Sequence, residues 1–306
     1  MKILLTGGSG MVGHNICDYA QNLSQYQLLS PISKELNLLD KQAVDDYIQH
    51  HKPDIIIHSA GIVGGIQANI ENPVKFLHEN TLMGQNIVLS AYQLGVKKLI
   101  NLGSSCMYPR NAENPLVEES ILTGELEPTN EGYALAKIVT AKLCEYISKT
   151  NADCQYKTLI PCNLYGKYDK FDPIKSHMIP AAIQKVHQAK INELNAVEIW
   201  GDGLARREFM YAEDLADAAF FALENLNELP NMVNVGLGID YTINDYYEQI
   251  AQIIGYDGSF NHNVSKPVGM KQKLVNVNKL QQMGWTHKFS LAEGLEKTYQ
   301  YYLSLK

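Results

Sequence analysis

The chain lacks any closely spaced cysteine pair. Its five cysteines, at positions 17, 106, 144, 154 and 162 of 306 residues, form no CxxC and have no His-rich partner segment. That argues against a zinc site or a disulfide framework, and no bound metal is expected. Long apolar runs are missing as well. The N-terminal "MKILLTGG" is too short for a signal-peptide core, and no later stretch approaches the roughly 20 apolar residues of a membrane-spanning helix. A cytoplasmic location is the expectation. Positive charge is in deficit, with 26 Lys and Arg against 33 Asp and Glu for a net charge of -7. Nothing therefore attracts the chain generally to nucleic acid or anionic membrane, and any basic site must be local. There is no internal repeat, low-complexity tract or long linker, so the lobes should pack together. What remains, 45% hydrophobic residues at this length, suffices for a large core.

Short β-rich runs alternate with helical patterns through the first half. "KILLT" precedes a helix over 11–24, "QLLS" one over 41–50, "DIIIHSA" one over 73–94 and "KKLINLGSS" one over 131–149, and "YKTLIP" follows. This rhythm predicts βαβ units, an α/β fold with a Rossmann-type doubly wound parallel sheet. Beyond about residue 165 it breaks into loops, a helix near 179–190, short strands at "VEIWG", "EFM" and "VNVG", and terminal helices. The expected division is 1–165 for the Rossmann domain, with returns from later segments, and 166–306 for a smaller α+β lobe.

Gly7, Gly10 and Gly13 in "TGGSGMVG" follow the first strand and open a helix. Glycines there let the backbone turn tightly against a pyrophosphate, which free N–H groups at the helix N-terminus stabilise. NAD-preferring folds carry an acidic residue at the end of the second strand to hold the ribose 2′-hydroxyl. This chain has Ser30-Pro31-Ile32-Ser33-Lys34 instead. Hydroxyls and Lys34 suit a 2′-phosphate, so NADP is expected rather than NAD.

Tyr133 and Lys137 in "EGYALAKI" lie four apart and so share one helix face. A lysine ammonium beside a phenol favours the phenolate and is expected to bring its pKa toward neutrality. Such a pair alone is common on helix surfaces; its weight comes from the glycine loop and from "GSSCMYP" after the fourth strand. Asn163 in "PCNLYG" falls at the carboxyl edge of the fifth strand, where ligands of doubly wound sheets sit.

Together these residues resemble the extended short-chain dehydrogenase/reductases that act on nucleotide-activated sugars. The blocks "GMVG", "ELNLLD", "VGGI", "GSSCMYP", "LEPTNEGYALAKI", "NLYG", "SHMIP", "IWGDG", "RREF" and "GWTHKFSL" are similar to the GDP-L-fucose synthase family. The resemblance implies a homodimeric, bifunctional 3,5-epimerase and NADPH-dependent 4-reductase of a GDP-linked 4-keto sugar, paired through helices near 73–94 and 131–149. It implies that Ser104 hydrogen-bonds the sugar carbonyl, Tyr133 protonates it, Lys137 holds the nicotinamide ribose, and Cys106 and His177 form an acid/base pair. By the same resemblance Met11, Val12, Ser33, Leu38, Pro161, Asn163, Leu164 and His177 join the cofactor set. Asn163, Lys185, Trp200, Arg207 and Lys273 contact the nucleotide sugar. Taken singly, Cys106 reads equally as a buried thiol and His177 as a loop histidine.

The chain departs from the family at Val268, where an Asp is usual, at Lys167 and Lys170, and at Ser9 and Ser33, which replace arginines found in bacterial relatives. Val268 cannot accept a hydrogen bond from a sugar hydroxyl. Open alternatives are a GDP-L-colitose synthase, which inverts only C5 of a 3-deoxy sugar, a plain 4-keto reductase, and a non-enzymatic NADP sensor.

Overall fold

A computed structural model describes residues 1–172, 176–266 and 269–306, so Val268 lies outside the described residues. The first half runs β1 (Lys2–Thr6), α1 (Met11–Ala20), β2 (Gln27–Leu29), α2 (Lys41–His51), β3 (Ile55–His58), α3 (Ile66–Glu71), α4 (Pro73–Gln93), β4 (Lys98–Leu102), α5 (Glu131–Thr150) and β5 (Gln155–Pro161). The second runs β6 (Asn163–Tyr165), α6 (Met178–Ile191), β7 (Ala196–Trp200), β8 (Arg206–Arg207), β9 (Phe209–Tyr211), α7 (Ala212–Glu224), β10 (Met232–Val235), β11 (Tyr241–Thr242), α8 (Ile243–Ile254), β12 (Ser259–Asn263), β13 (Gln272–Lys273), α9 (Asn278–Gln282) and α10 (Leu291–Ser304).

Six strands form one sheet in the order β2-β1-β3-β4-β5-β10, and every pairing in it is parallel. Chain order reverses between β1 and β3. That switch opens a crevice beyond the carboxyl ends of the strands. Side chains alternate across the sheet: Ile3, Leu5, Ile55, Ile57 and Ile100 join one core cluster, and Leu4, Ile56 and Leu99 join the other. Because helices cover both faces, these strands read as unbroken apolar runs.

Local chemistry sets the element ends. Asp40 caps α2 by accepting from the N–H groups of Gln42 and Ala43, and Thr242 and Ser290 open α8 and α10 as capping boxes with Asp245 and Glu293. The expected helix over 11–24 stops at Ala20. Helix α7, "AEDLADAAFFALE", went unread in the sequence. It is buried on nearly every side, so it has no polar stripe to mark a helical period. A third core cluster, built from α6, α8, α10 and the short strands, fills the C-terminal half. No helix among the described residues is long and apolar enough to cross a membrane.

Candidate active site

A cleft of about 480 Å³ runs from the first turn of α1 to β13 along the carboxyl edge of the sheet. The glycine loop leads into it without itself lining it. Gly7 holds φ +76°, and a Cβ at Gly13 would lie 2.1 Å from the Gly7 carbonyl oxygen, so only glycine fits where α1 packs beneath the turn. The first turn of α1 then faces the cleft with Met11 and Val12. Such a cradle of close backbone and free helix N–H groups fits a dinucleotide pyrophosphate. Ser33 and Lys34 stand exposed on the turn after β2. Glu35 turns away, its carboxylate accepting from the Ile32 N–H at 3.0 Å, which leaves Lys34 as the charge at that edge. Leu38 does not face the cleft: its side chain is 8% exposed within the core.

The stretch after β4 explains the two hydroxyls and the thiol that follow a buried strand. Met107 and Tyr108 plug into the core, and the Tyr108 hydroxyl donates to Asn234 Oδ1 at 2.5 Å. These anchors hold a tight 3-10 turn over Ser105–Met107. Ser104 caps it by accepting from the Cys106 N–H at 3.3 Å. Ser105 is buried, while Ser104 and Cys106 are half-buried on the cleft wall.

Helix α5 brings Tyr133 and Lys137 to the same wall. The Tyr133 phenol lies close enough to Ser104 for the hydroxyl to favour its ionised form. The expectation that Lys137 lowers the phenol pKa is corrected here. Burial raises Tyr133 above its ordinary value, Cys106 adds to the rise, and only Ser104 opposes it. The Lys137 ammonium lies 5.8 Å from the ring centre and donates to the Leu102 carbonyl at 2.8 Å. Burial brings Lys137 itself down to about 8.

His177 is the N-cap of α6 and lines the same cleft. Solvent reaches the residue, yet the surrounding walls desolvate the imidazole enough to lower its pKa. Deeper in the C-terminal half, Lys185 and Lys266 place ammonium groups 5.2 and 5.3 Å from the Trp200 ring. Arg207 is desolvated by burial and faces the Glu127 carboxylate electrostatically. Asn163 donates to the Glu208 carbonyl at 2.9 Å, and Pro161 and Leu164 flank it.

The cleft thus gathers Met11, Val12, Ser104, Cys106, Tyr133, Lys137, Pro161, Asn163, Leu164, His177, Lys185, Trp200, Arg207 and Lys273. Sequence reasoning missed other lining residues: Val63 to Gln67, Asn69, Glu127, Thr129, Asn130, Tyr247 and Met270. The signal was present for the first group, since "VGGI" is a matched block. Asn80 holds that loop by accepting from the Ile62 N–H at 2.7 Å and donating to its carbonyl at 3.1 Å.

Residues 3–236 match the model of the NAD dependent epimerase/dehydratase family. The chain belongs to that family and is an enzyme of the epimerase/reductase class. It is 58% identical over 306 residues to a GDP-L-colitose synthase of Yersinia pseudotuberculosis, covering 100% of this chain and 99% of the relative. It is 48% identical to a GDP-L-fucose synthase of Azorhizobium caulinodans, over 99% of this chain and 96% of that one. Among solved structures, a GDP-mannoheptose C4 reductase from Campylobacter jejuni with NADP bound matches at TM-score 0.90 and 30% identity, covering 99% and 98% of the two chains.

Proposed function

We propose that the chain is an NADPH-dependent epimerase and 4-reductase of a GDP-linked 4-keto-deoxy sugar. One observation carries the reading: a hydroxyl pair at Ser104 and Tyr133 shares a single cleft with a thiol at Cys106 and an imidazole at His177. Ser104 and Tyr133 donate to the ketone oxygen. They stabilise the enolate while Cys106 removes a proton from the neighbouring carbon and His177 delivers one to the opposite face. Inversion requires two groups on opposite sides of the ring, the roles assigned here to Cys106 and His177. NADPH, held by the glycine loop, Met11, Val12 and Lys34, supplies the hydride at C4, and Tyr133 gives the ketone oxygen its proton. Lys137 orients the nicotinamide ribose. Arg207 holds the diphosphate with a fork of N–H donors, and Lys185 and Trp200 form the wall for the nucleotide.

Two substrates fit this site. The motifs suit GDP-4-keto-6-deoxy-D-mannose, inverted at C3 and C5 and reduced to GDP-L-fucose. The 58% identity to a GDP-L-colitose synthase, against 48% and 39% to two GDP-L-fucose synthases, favours the 3-deoxy sugar with inversion at C5 alone. We take the 3-deoxy route as the better supported. The test offers each substrate with NADPH in deuterated water and reads the product by NMR. Deuterium at C5 of a GDP-L-colitose product supports this reading; deuterium at C3 and C5 of GDP-L-fucose moves it to the other route. Reduction without deuterium leaves a plain reductase.

Two further points belong to the same reading. Cofactor contacts come mainly from before residue 165, whereas the sugar is reached from both sides of that division. Val74 and Leu77 on α4 with Val139 and Tyr146 on α5 leave apolar side chains exposed, which suits a homodimer formed through these helices. Light scattering on the purified chain checks the dimer.

A further inference from the structure

Two nitrogen donors converge on the Cys106 sulfur, and the proposed mechanism leaves both unused. Lys273 places its ammonium 3.7 Å from Sγ. Asn130, at the N-cap of α5, places its amide nitrogen 3.2 Å away. Neither position is casual. β13 runs parallel to β8 with Lys273 opposite Arg207. The next residue, Leu274, donates to Asn114 Oδ1 at 2.8 Å and accepts from the Leu116 N–H at 2.8 Å. Val275 donates to the buried Glu208 carboxylate at 2.9 Å. The backbone that carries Lys273 is therefore clamped on both sides of the β-bridge between Leu116 and Val275.

A thiol is a poor base, and the thiolate is the form that takes a proton from carbon. A cation and an N–H donor aimed at sulfur both favour that form. Tyr133 and Lys137 from α5 feel Cys106 electrostatically, and the Lys137 ammonium is already committed to the Leu102 carbonyl. His177 shares the cleft from α6.

We infer that Lys273 is a positioning residue for the epimerisation base, holding Cys106 as a thiolate while Asn130 orients its sulfur, instead of serving chiefly as a ligand of the nucleotide sugar. The inference rests on the reading of Cys106 as that base. In the step, the thiolate takes the proton beside the ketone. The C–H electron pair forms the enolate double bond, and the carbonyl pair moves to the oxygen held by Tyr133 and Ser104. Water then takes the proton from the thiol.

The test needs no substrate in its first arm. Alkylation of Cys106 by iodoacetamide is followed on the whole chain across about pH 5 to 10, with the Cys106 peptide read by mass spectrometry and Cys106→Ser as the blank. Lys273→Met is expected to slow alkylation at neutral pH about tenfold or more and to move its pH profile upward, and Lys273→Arg to restore most of the rate. The second arm reads deuterium entry into the GDP-linked ketone, which should fall by a similar factor in Lys273→Met. An unchanged alkylation profile in Lys273→Met overturns the inference. Should that variant melt early, Lys273→Gln and screening of the wild-type rate by salt give the same reading. If the profile shifts but the wild type exchanges no deuterium into any GDP-4-keto sugar, the pairing stands and the proposed function falls.

Discussion

Gly10 and Gly13 belong to one loop, yet the structure gives them opposite tasks, and alanine separates them. At Gly13 an added Cβ would meet the Gly7 carbonyl oxygen at 2.1 Å and Gly8 Cα at 2.5 Å, where ordinary contact begins near 3.4 Å. Both are backbone atoms, so the loop itself must move by about 1.3 Å. Overpacking of this kind costs ~1–3 kcal/mol. For a chain of this size that is about 2–5 °C in Tm. At Gly10 the nearest atom to an added Cβ is the same oxygen at 3.4 Å, and φ is -86°, which alanine adopts freely. Gly10→Ala should therefore cost no more than about 1 kcal/mol, the ordinary loss at a helix cap. Its methyl would instead stand where the pyrophosphate comes closest to the backbone, weakening NADPH about tenfold or more. Gly13→Ala should lose both stability and affinity. Thermal melts and fluorescence titration with NADPH read the two quantities separately. Wild-type melting and binding in Gly13→Ala would refute the packing argument, and undiminished NADPH affinity in Gly10→Ala would refute the seat assigned to the pyrophosphate.

Tyr133→Phe removes the proposed proton donor and should lower the rate of C4 reduction by about 10²–10⁴-fold, with NADPH affinity retained in the same titration. Lys34→Ala should weaken NADPH about tenfold and leave NADH unchanged, because in the proposed site only the 2′-phosphate meets that ammonium; equal losses for both cofactors would count against it. His58 is wholly buried, its Nδ1 is 2.8 Å from Thr6 Oγ1, and burial holds its pKa at about 3 against an ordinary 6.5. Unfolded chains take up that proton first. The stabilisation is therefore complete above pH 6.5 and declines as pH falls toward about 3, by up to about 5 kcal/mol. Denaturant titrations of wild type and His58→Gln check it: the variant should be less stable at neutral pH and lose less on acidification.

Much of the nucleotide half was legible because its determinants are local. The apolar runs of β1, β3, β4 and β5 and the glycine spacing state a buried parallel strand and a tight turn without reference to the rest of the chain. Matched blocks carried the candidate residues on both sides of the cleft. Helix α7 escaped because a helix buried all round has no amphipathic period to read. The lining residues Glu127 and Asn130 sit within a quoted block, but nothing in their spacing says that they turn toward Arg207 and Cys106.

By itself the sequence determined the strand-and-helix rhythm of the nucleotide half, the tight glycine turn and the identity of the chemical groups, since these depend on short-range sterics and on side-chain type. Only the tertiary structure decided how those groups bear on one another. Whether a lysine tunes a phenol or a thiol depends on where its ammonium finds a partner, and burial outweighs helical spacing in setting that. So Lys137, one turn from Tyr133, donates to the Leu102 carbonyl and leaves the phenol raised, whereas Lys273, 167 residues away from Cys106 in sequence, comes within 3.7 Å of its sulfur.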